Sequence, residues 1–452
     1  MTSDTGLASR HLATEPPRWR ENRMLLTIGV LAAAAAAGLF LTAVATHPAI
    51  ATLKGFDLHV YLMGGSLAKH DPSILYTWQQ QPGIQFTYTP FAALLFALIT
   101  AVKFRVLLDV LAGLSAAAVA VTVWIAFREL GWQGTARLGA TLLVTGIAFW
   151  TEPVQRTLYL GQIELLLMAL VVWDLCQPDR RWWKGAATGV AAGIKLVPLL
   201  FIAYLLVTRR FRQFAVAVAG FAVTVIVGFA VLPHESSQWW WHGYFLQAGR
   251  TGFVGTMPNQ SLRGLITRLI GSVAGAGGLW LAIAILTGIV GLAVAALLHH
   301  AGRTFAGLMV CALTALLVSP ISWDHHWVWV APGLAVLVDA AVRTGNHWVR
   351  AGWFAAAAVV VAAFGAWPRF WPGAHSGLLQ GGLIWYAPLS SFSSGDNPKY
   401  VEYHYRGLQE FAGNLYVIVG LALFVLALAA AAYTLRTWRA SQRSAAPQRS
   451  RT

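Results

Sequence analysis

Five short polar clusters interrupt an otherwise apolar sequence. They are Asp57 with His59 and Tyr61; Gln162 with Glu164; Lys195; Asn259-Gln260-Ser261 with Arg263; and Asp324-His325-His326. A carboxylate can take a proton from a hydroxyl group. Lysine, histidine and amide side chains can hold a phosphate and stabilise the charge that develops on it. The set therefore suits transfer of a group from a phosphate-linked donor to an acceptor hydroxyl, with Asp57 as the candidate base.

Each cluster also has a purely structural interpretation. Asp57 could cap a juxtamembrane helix, and Gln162 and Glu164 could satisfy backbone groups at a helix start. Lys195 could extend its amine towards the membrane interface. Adjacent histidines beside an acid could bind a metal, but successive residues of a helix point about 100° apart. No third ligand is evident in the sequence, so no metal site is predicted.

The composition places these clusters in a membrane protein. Hydrophobic residues make up 57% of the chain and charged residues 11%, whereas a soluble domain has about 25% charged residues. The net charge of +15 comes from short clusters at the ends of apolar segments, without a basic stripe interleaved with aromatics, which argues against a nucleic-acid partner. Cys176 and Cys311 both lie in apolar stretches, so no disulfide framework is predicted.

Positive residues prefer the cytoplasmic side of a membrane, and this preference sets the predicted topology. The arginines of residues 1–23 and of the later basic turns all become cytoplasmic if residues 89–102 form a juxtamembrane or re-entrant helix, which Thr89-Pro90 would begin. The fold class is then all-α, a polytopic bundle of about twelve spans with both termini cytoplasmic. The predicted spans are 24–45, 106–127, 138–150, 164–177, 185–195, 197–207, 213–232, 277–298, 303–318, 327–342, 351–366 and 413–435.

This topology divides the chain into a cytoplasmic N-terminal tail (1–23), a transmembrane catalytic domain (24–435) and a cytoplasmic C-terminal tail (436–452). The external loops are 46–105, 233–276 and 367–412. Segments 185–195 and 197–207 are too short to cross a core of about 30 Å. They are predicted to be half-helices that meet beside Lys195. All five polar clusters fall on the external side, although only the basic residues were used to assign sides.

The ordered motifs resemble the GT-C superfamily, and more narrowly glycosyltransferase family 87. The matching segments are 57–61 (DLHVY), 86–90 (FTYTP), 161–162 (GQ), 194–198 (IKLVP), 259–261 (NQS) and 319–326 (SPISWDHH). The family usually has Asn where this chain has Glu164, and Tyr-Pro-Pro where this chain has Tyr88-Thr89-Pro90. The resemblance implies a helical membrane bundle with external juxtamembrane helices and a catalytic acid in the first external loop.

The resemblance also implies a polyprenyl-phosphate-mannose donor, a phosphatidylinositol mannoside or related lipoglycan acceptor, and an inverting transfer that forms an α-(1→2) linkage at the outer face of the plasma membrane. No cofactor is predicted. Asp57 would be the base, and Lys195, His325 and His326 would bind the donor phosphate. Phe86 and Tyr88 would border a lipid groove. The residues expected to contact the sugar or the acceptor are His59, Tyr61, Gln162, Glu164, Asn259, Gln260, Arg263 and Asp324.

Other functions remain open at this stage. A lipomannan- or lipoarabinomannan-branching mannosyltransferase, or an arabinofuranosyltransferase, would carry the same motifs. A transporter or flippase of lipid-linked sugars belongs to another class. That class is often built from internal repeats with a polar site near the membrane midplane. No repeat is evident here, and the polar clusters gather at one face.

Overall fold

The computed structural model describes residues 21–46, 54–81, 84–367, 381–390 and 397–445. Residues 1–20 of the predicted N-terminal tail, residues 446–452 of the predicted C-terminal tail and parts of the predicted external loops therefore lie outside the described residues. The described chain is a helical bundle, in agreement with the predicted all-α class. Its only named strands are a short antiparallel pair in the described ranges, β1 (Gln79–Gln81) and β2 (Ile84–Gln85).

The described chain contains eighteen named α-helices. They are α1 (Arg23–Thr46), α2 (Phe56–His70), α3 (Pro90–Ala97), α4 (Phe104–Glu129), α5 (Gly134–Phe149), α6 (Glu152–Leu160), α7 (Glu164–Leu175), α8 (Ala186–Ile194), α9 (Leu199–Val207), α10 (Phe211–Val231), α11 (Pro233–Trp240), α12 (Leu262–Ile270), α13 (Val273–His300), α14 (Thr304–Val318), α15 (Val330–Arg343), α16 (His347–Phe364), α17 (Leu408–Gly413) and α18 (Leu415–Ala445). A 3-10 turn, Asp324–Trp329, leads directly into α15.

Six described segments are long and apolar enough to cross a membrane, or seven if the bent pair α6–α7 is one span. Three shorter apolar helices, Arg23–Leu39 within α1, α5 and α14, add to the bundle. The chain is therefore a polytopic membrane protein. The predicted count of about twelve spans is not confirmed, because several predicted spans correspond to helices too short to meet this test.

Small residues allow pairs of helices to approach closely, as is common in membranes. A Cβ atom at Gly139 of α5 would lie 2.6 Å from the carbonyl oxygen of Leu25 on α1. A Cβ at Gly189 of α8 would lie 2.2 Å from the carbonyl oxygen of Ala217 on α10. These contacts leave no space for a side chain, so glycine sets the distance between the helices at both crossings.

Two helix breaks shape the region that holds the polar clusters. Between α8 and α9, Lys195 has an extended backbone (φ −141°, ψ 131°), in agreement with the predicted pair of half-helices. Between α6 and α7 the chain turns by 115° at Gly161, whose φ of +64° favours glycine. Residues 151–163 lie between two predicted spans, 138–150 and 164–177, and no helix was predicted there. In the structure Thr151-Glu152-Pro153 begins helix α6, because proline suits the first helical turn.

Helix α3 begins where Thr89-Pro90 predicts. The Thr89 side chain accepts a hydrogen bond from the backbone N–H of Ala92 at 3.1 Å, which caps the helix. The Thr89 hydroxyl also donates to the carbonyl oxygen of Gly193 on α8. These bonds fix the short helix against the broken segment α8–α9. Its placement relative to a membrane stays a prediction.

Candidate functional site

Residues of four of the five polar clusters line one cavity of about 700 Å³, within the range of small-molecule sites. Its walls come from the start of α2, helix α6, the α6–α7 turn, the α8–α9 break and the segment 319–326. Eight of the predicted site residues line it: Asp57, Tyr61, Tyr88, Gln162, Lys195, Asp324, His325 and His326. Residues separated by as much as 269 positions in the chain (57 to 326) therefore share a single site.

Asp57 lies in the first turn of α2, which begins after Gly55 in a left-handed conformation (φ 63°). Its carboxylate accepts a hydrogen bond from Gln162 Nε2 at 2.8 Å. Burial raises the pKa of Asp57 above its usual value, while the electrostatic interactions with His325, Lys195 and Arg156 and the Gln162 hydrogen bond act in the opposite direction. Burial thus makes the carboxylate more basic, as a general base requires.

Gln162 connects Asp57 to its neighbours. Its Oε1 accepts hydrogen bonds from the Tyr61 hydroxyl and, at 3.2 Å, from the Tyr88 hydroxyl. Burial raises the pKa of both phenols, so they remain protonated donors. With Oε1 occupied, Nε2 must face Asp57 and also lies 3.4 Å from His325 Nε2. The amide therefore fixes the orientation of the candidate base.

Lys195 and Glu164 form a buried ion pair. Lys195 Nζ lies 2.6 Å from Glu164 Oε2, and the two side chains are 15% and 8% exposed. Lys195 Nζ also lies 3.0 Å from His326 Nε2. Glu164 itself does not line the described cavity, because its carboxylate turns to Lys195, and its predicted contact with the sugar or acceptor stays a prediction. Its role is to hold the lysine at the cavity wall.

Asp324 orients His325. The carboxylate accepts from His325 Nδ1 at 3.0 Å and from the His325 backbone N–H at 2.8 Å. This contact selects the tautomer with hydrogen on Nδ1 and leaves Nε2 free to accept a hydrogen bond from Gln162. Asp324 is 1% exposed, and its backbone N–H donates to the Pro258 carbonyl oxygen at 2.8 Å.

Asn259 and Gln260 are bonded to backbone groups, and their predicted contact with sugar hydroxyls stays a prediction. Both are 0% exposed. Asn259 donates to the carbonyls of Val254 and Pro320 and accepts from the Ser322 N–H. Gln260 donates to the carbonyls of Met257 and Gly413 and accepts from the Tyr416 N–H. Their amide groups are occupied by backbone, so they brace the segment that carries Asp324 rather than facing the cavity.

Three further predicted site residues lie away from the cavity walls. His59 is exposed and stacks on Phe104 at 3.9 Å between ring centroids. The Arg263 guanidinium lies over the Trp280 ring at 4.7 Å. Phe86 is 0% exposed and packs against Gly64, where an added Cβ would meet its ring at 2.2 Å. Phe86 therefore supports the wall of the site from behind instead of bordering a groove, whereas Tyr88 does line the cavity.

The sequence analysis missed several residues contributed by α6. Arg156 and Tyr159 line the cavity. Glu152, which is 0% exposed, accepts from Trp385 Nε1 at 3.0 Å and from the Tyr416 hydroxyl at 2.8 Å. The sequence feature that could have identified these residues is the polar segment TEPVQR (151–156) between two apolar stretches. Among the described residues, no three His, Cys, Asp or Glu side chains are placed to hold a metal ion.

Comparisons with known proteins agree with the motif resemblance. The chain is 37% identical over 362 residues, 78% of its length and 80% of the relative's, to a polyprenol-phosphate-mannose-dependent α-(1-2)-phosphatidylinositol pentamannoside mannosyltransferase of Mycobacterium tuberculosis (strain CDC 1551 / Oshkosh). It is 35% identical, over 66% of its length and 73% of the relative's, to a protein of the same description from Mycolicibacterium smegmatis.

A more distant relative is a polyprenol-phosphate-mannose-dependent α-(1-2)-phosphatidylinositol mannoside mannosyltransferase of Mycobacterium tuberculosis (strain ATCC 25618 / H37Rv). It is 30% identical over 61% of this chain and 65% of its own length. No solved structure matches the chain. The sequence profile of glycosyltransferase family 87 matches residues 86–320. The chain therefore belongs to glycosyltransferase family 87 and is a multi-pass membrane glycosyltransferase.

Proposed function

We propose that this protein transfers mannose from polyprenyl-phosphate-mannose to a phosphatidylinositol mannoside, forming an α-(1→2) linkage at the outer face of the membrane. The observation that carries the proposal is the position of Asp57. Its carboxylate shares one cavity with Lys195, His325 and His326. The names of the related proteins support the donor, the acceptor class and the linkage.

In the proposed reaction Asp57 removes the proton from the acceptor hydroxyl. The hydroxyl oxygen attacks the anomeric carbon, the bond from that carbon to the phosphate oxygen breaks, and polyprenyl phosphate leaves with the electron pair. The proton remains on Asp57 until solvent removes it. A single displacement inverts the anomeric carbon, so a β-linked donor gives an α product. No covalent enzyme intermediate is required, and one positioned carboxylate is sufficient.

Lys195, His325 and His326 are proposed to contact the donor phosphate, with Asp324 holding His325. Gln162 keeps Asp57 aimed at the acceptor, and Tyr61 and Tyr88 hold Gln162. The positive charge of Lys195 near the departing phosphate stabilises the charge that the phosphate gains. Asp57 thus acts on the attacking hydroxyl, and these groups act on the leaving phosphate.

An external active site and cytoplasmic termini are part of the proposal, with residues 24–435 as the catalytic domain. Four predicted cytoplasmic connections lie against one another through contacts made by three arginines, which supports the topology. Arg128 donates to the Cys176 carbonyl at 2.8 Å, Arg210 pairs with Asp179 at 3.0 Å, and Arg343 donates to the Leu130 carbonyl. Cysteine labelling from one side of intact cells, at positions in 233–276 and in 436–452, tests this arrangement.

The function is tested with purified protein in liposomes that contain lipid-linked mannose and phosphatidylinositol tetramannoside. We expect wild-type protein to form an α-(1→2)-linked product. Asp57→Asn keeps the size of the side chain and an acceptor for Gln162, and we expect it to lower turnover by roughly 10²–10⁴-fold, the usual contribution of a general base. Asp109→Asn is the control, because Asp109 is 53% exposed and pairs only with Arg105 at 3.0 Å among the described residues.

Two results would contradict the proposal. Turnover by Asp57→Asn at the wild-type rate would remove Asp57 from its role as base. Movement of lipid-linked mannose across the liposome membrane, without formation of a product, would favour the transporter class. Supplying a lipid-linked arabinose donor and a lipomannan acceptor in parallel distinguishes the related transferases.

A further inference from the structure

Three Lys or Arg side chains line the described cavity, and they differ in how their positive charge is compensated. They are Lys54, Arg156 and Lys195. Lys54 is exposed to solvent. Lys195 is compensated by Glu164 at 2.6 Å. Arg156 is half-buried, with a side chain that is 15% exposed, and its charge is incompletely compensated.

The only ion partner of Arg156 in the described chain is distant. Arg156 Nε lies 3.7 Å from Asp324 Oδ2, whereas a charge-assisted N–H to carboxylate bond is about 2.7–2.9 Å. Within the described ranges, Arg156 Nε has no hydrogen-bond acceptor, whereas the Asp324 carboxylate also has Glu152 as a hydrogen-bonding neighbour. A buried polar atom without a partner is costly, so this gap requires a physical explanation.

The Asp324 carboxylate is held at this distance from Arg156 by the hydrogen bonds of its other oxygen. Asp324 Oδ1 accepts from both His325 Nδ1 and the His325 backbone N–H. The Arg156 guanidinium instead lies over two aromatic rings, 4.9 Å from the centroid of Trp385 and 5.6 Å from that of Tyr159. Ring faces attract a cation but use none of its N–H groups. Arg156 is therefore held in place with donors that remain available.

An arginine with free donors in a buried cavity suits a phosphate. The planar guanidinium can give two parallel N–H bonds to phosphate oxygens and keeps its charge at any physiological pH. The charge of Arg156 also acts on Asp57, where it opposes the effect of burial on the carboxyl pKa. A phosphate bound by Arg156 would thus lie in the same part of the cavity as the candidate base.

We propose that Arg156 is a principal ligand of the donor phosphate and stabilises the negative charge of the departing polyprenyl phosphate. This inference rests on the proposed function. As the bond from the anomeric carbon to oxygen breaks, the phosphate gains the electron pair, and Arg156 stabilises that charge without transferring a proton. Lys195, already paired with Glu164, adds a weaker contact. The sequence analysis assigned the phosphate to Lys195 and the histidines and did not consider Arg156.

The first test measures binding of decaprenyl phosphate, the leaving product without its sugar, to the full chain in lipid nanodiscs. We expect Arg156→Gln to raise the dissociation constant at least about tenfold, which corresponds to about 1.4 kcal/mol. Arg156→Lys retains the charge but not the fork, and we expect an intermediate effect. The matched control is Arg137→Gln, since Arg137 also lies over a tryptophan, Trp124, at 3.6 Å but outside the cavity lining.

Wild-type affinity in Arg156→Gln would overturn the inference. If Arg156→Gln does not give a monodisperse protein, Arg156→Lys decides: an unchanged dissociation constant overturns the inference, and a raised one supports it. Inorganic phosphate is offered as a competitor. Its displacement of decaprenyl phosphate from wild type but not from Arg156→Gln supports recognition of the phosphate itself, and equal displacement from both counts against Arg156.

The second test separates this inference from the proposed function. In mannosyl transfer we expect Arg156→Gln to lower kcat/KM for the lipid donor at least about tenfold and to leave KM for the acceptor unchanged. Full donor kcat/KM in that variant refutes the role of Arg156 and leaves mannosyl transfer intact. Absence of transfer by wild type refutes the proposed function, while a loss of decaprenyl phosphate binding in Arg156→Gln would still support the phosphate site.

Discussion

The ion pair between Lys195 and Glu164 gives a quantitative prediction about stability. The side chains are 15% and 8% exposed and the charged atoms are 2.6 Å apart. Removal of one partner of a buried pair leaves the other charge without compensation, which costs about 3–5 kcal/mol. We therefore expect Lys195→Met and Glu164→Gln each to lower the free energy of unfolding by roughly this amount.

The double variant Lys195→Met/Glu164→Leu removes both charges at once. Replacement of a buried pair by apolar side chains of similar size is often neutral or stabilising, so we expect its free energy of unfolding to return close to the wild-type value. Denaturant titration of the detergent-solubilised protein measures all three variants. The exposed pair Arg105 and Asp109, with side chains 61% and 53% exposed, is the control, and its removal should cost no more than about 1 kcal/mol.

The same variants separate the structural role of Lys195 from its proposed contact with the donor. The double variant should be stable yet bind the lipid donor a few-fold more weakly than wild type, since Arg156 is still present. Two results would refute the reasoning. A double variant as unstable as the singles would show that the two charges do not compensate each other. Single variants with wild-type stability would show that the pair is not desolvated.

Three further predictions follow from the described contacts. Burial raises the pKa of Asp57, and the carboxylate is the active form, so kcat/KM should fall as pH falls through a value above the ordinary pKa of an aspartate. Arg156→Gln removes a positive charge that lowers the pKa of Asp57. In the pH–rate profile of this variant, the fall in kcat/KM at acidic pH should therefore move to higher pH. Asn259→Ala leaves the Ser322 N–H and two carbonyls without their partner and should lower the free energy of unfolding by about 1–3 kcal/mol. A variant with normal stability and lower affinity for the donor would instead support the predicted contact of Asn259 with the sugar. Gly139→Leu would force a side chain against the Leu25 backbone and should lower the free energy of unfolding by about 1–3 kcal/mol or more. Its melting temperature should be lower than that of the control Gly113→Ala, whose Cβ would meet nothing within 4 Å.

Local sequence patterns determined the character of the protein. Apolar segments with few charges specify a membrane bundle, because such segments cannot form a soluble surface. Thr89-Pro90 specified the start of α3, and the short apolar segments on either side of Leu196 specified the break beside Lys195. These features depend on residues close together in the chain, so they can be read without a structure. The placement of the polar clusters on a common face followed from the same patterns.

Tertiary structure alone decided which polar side chains face the cavity. Asn259 and Gln260 look like ligands in the sequence, but their partners, Ser322 and Tyr416, lie 63 and 156 residues away. Arg156 belongs to no motif predicted from the sequence, and only the fold places its guanidinium near Asp324 with Nε free of any acceptor among the described residues. Spacing in the sequence cannot reveal such contacts, because a hydrogen bond depends on where distant segments meet. The sequence therefore identified Asp57 as the candidate base, and the fold supplied Gln162 to orient it and Arg156 as the proposed phosphate ligand.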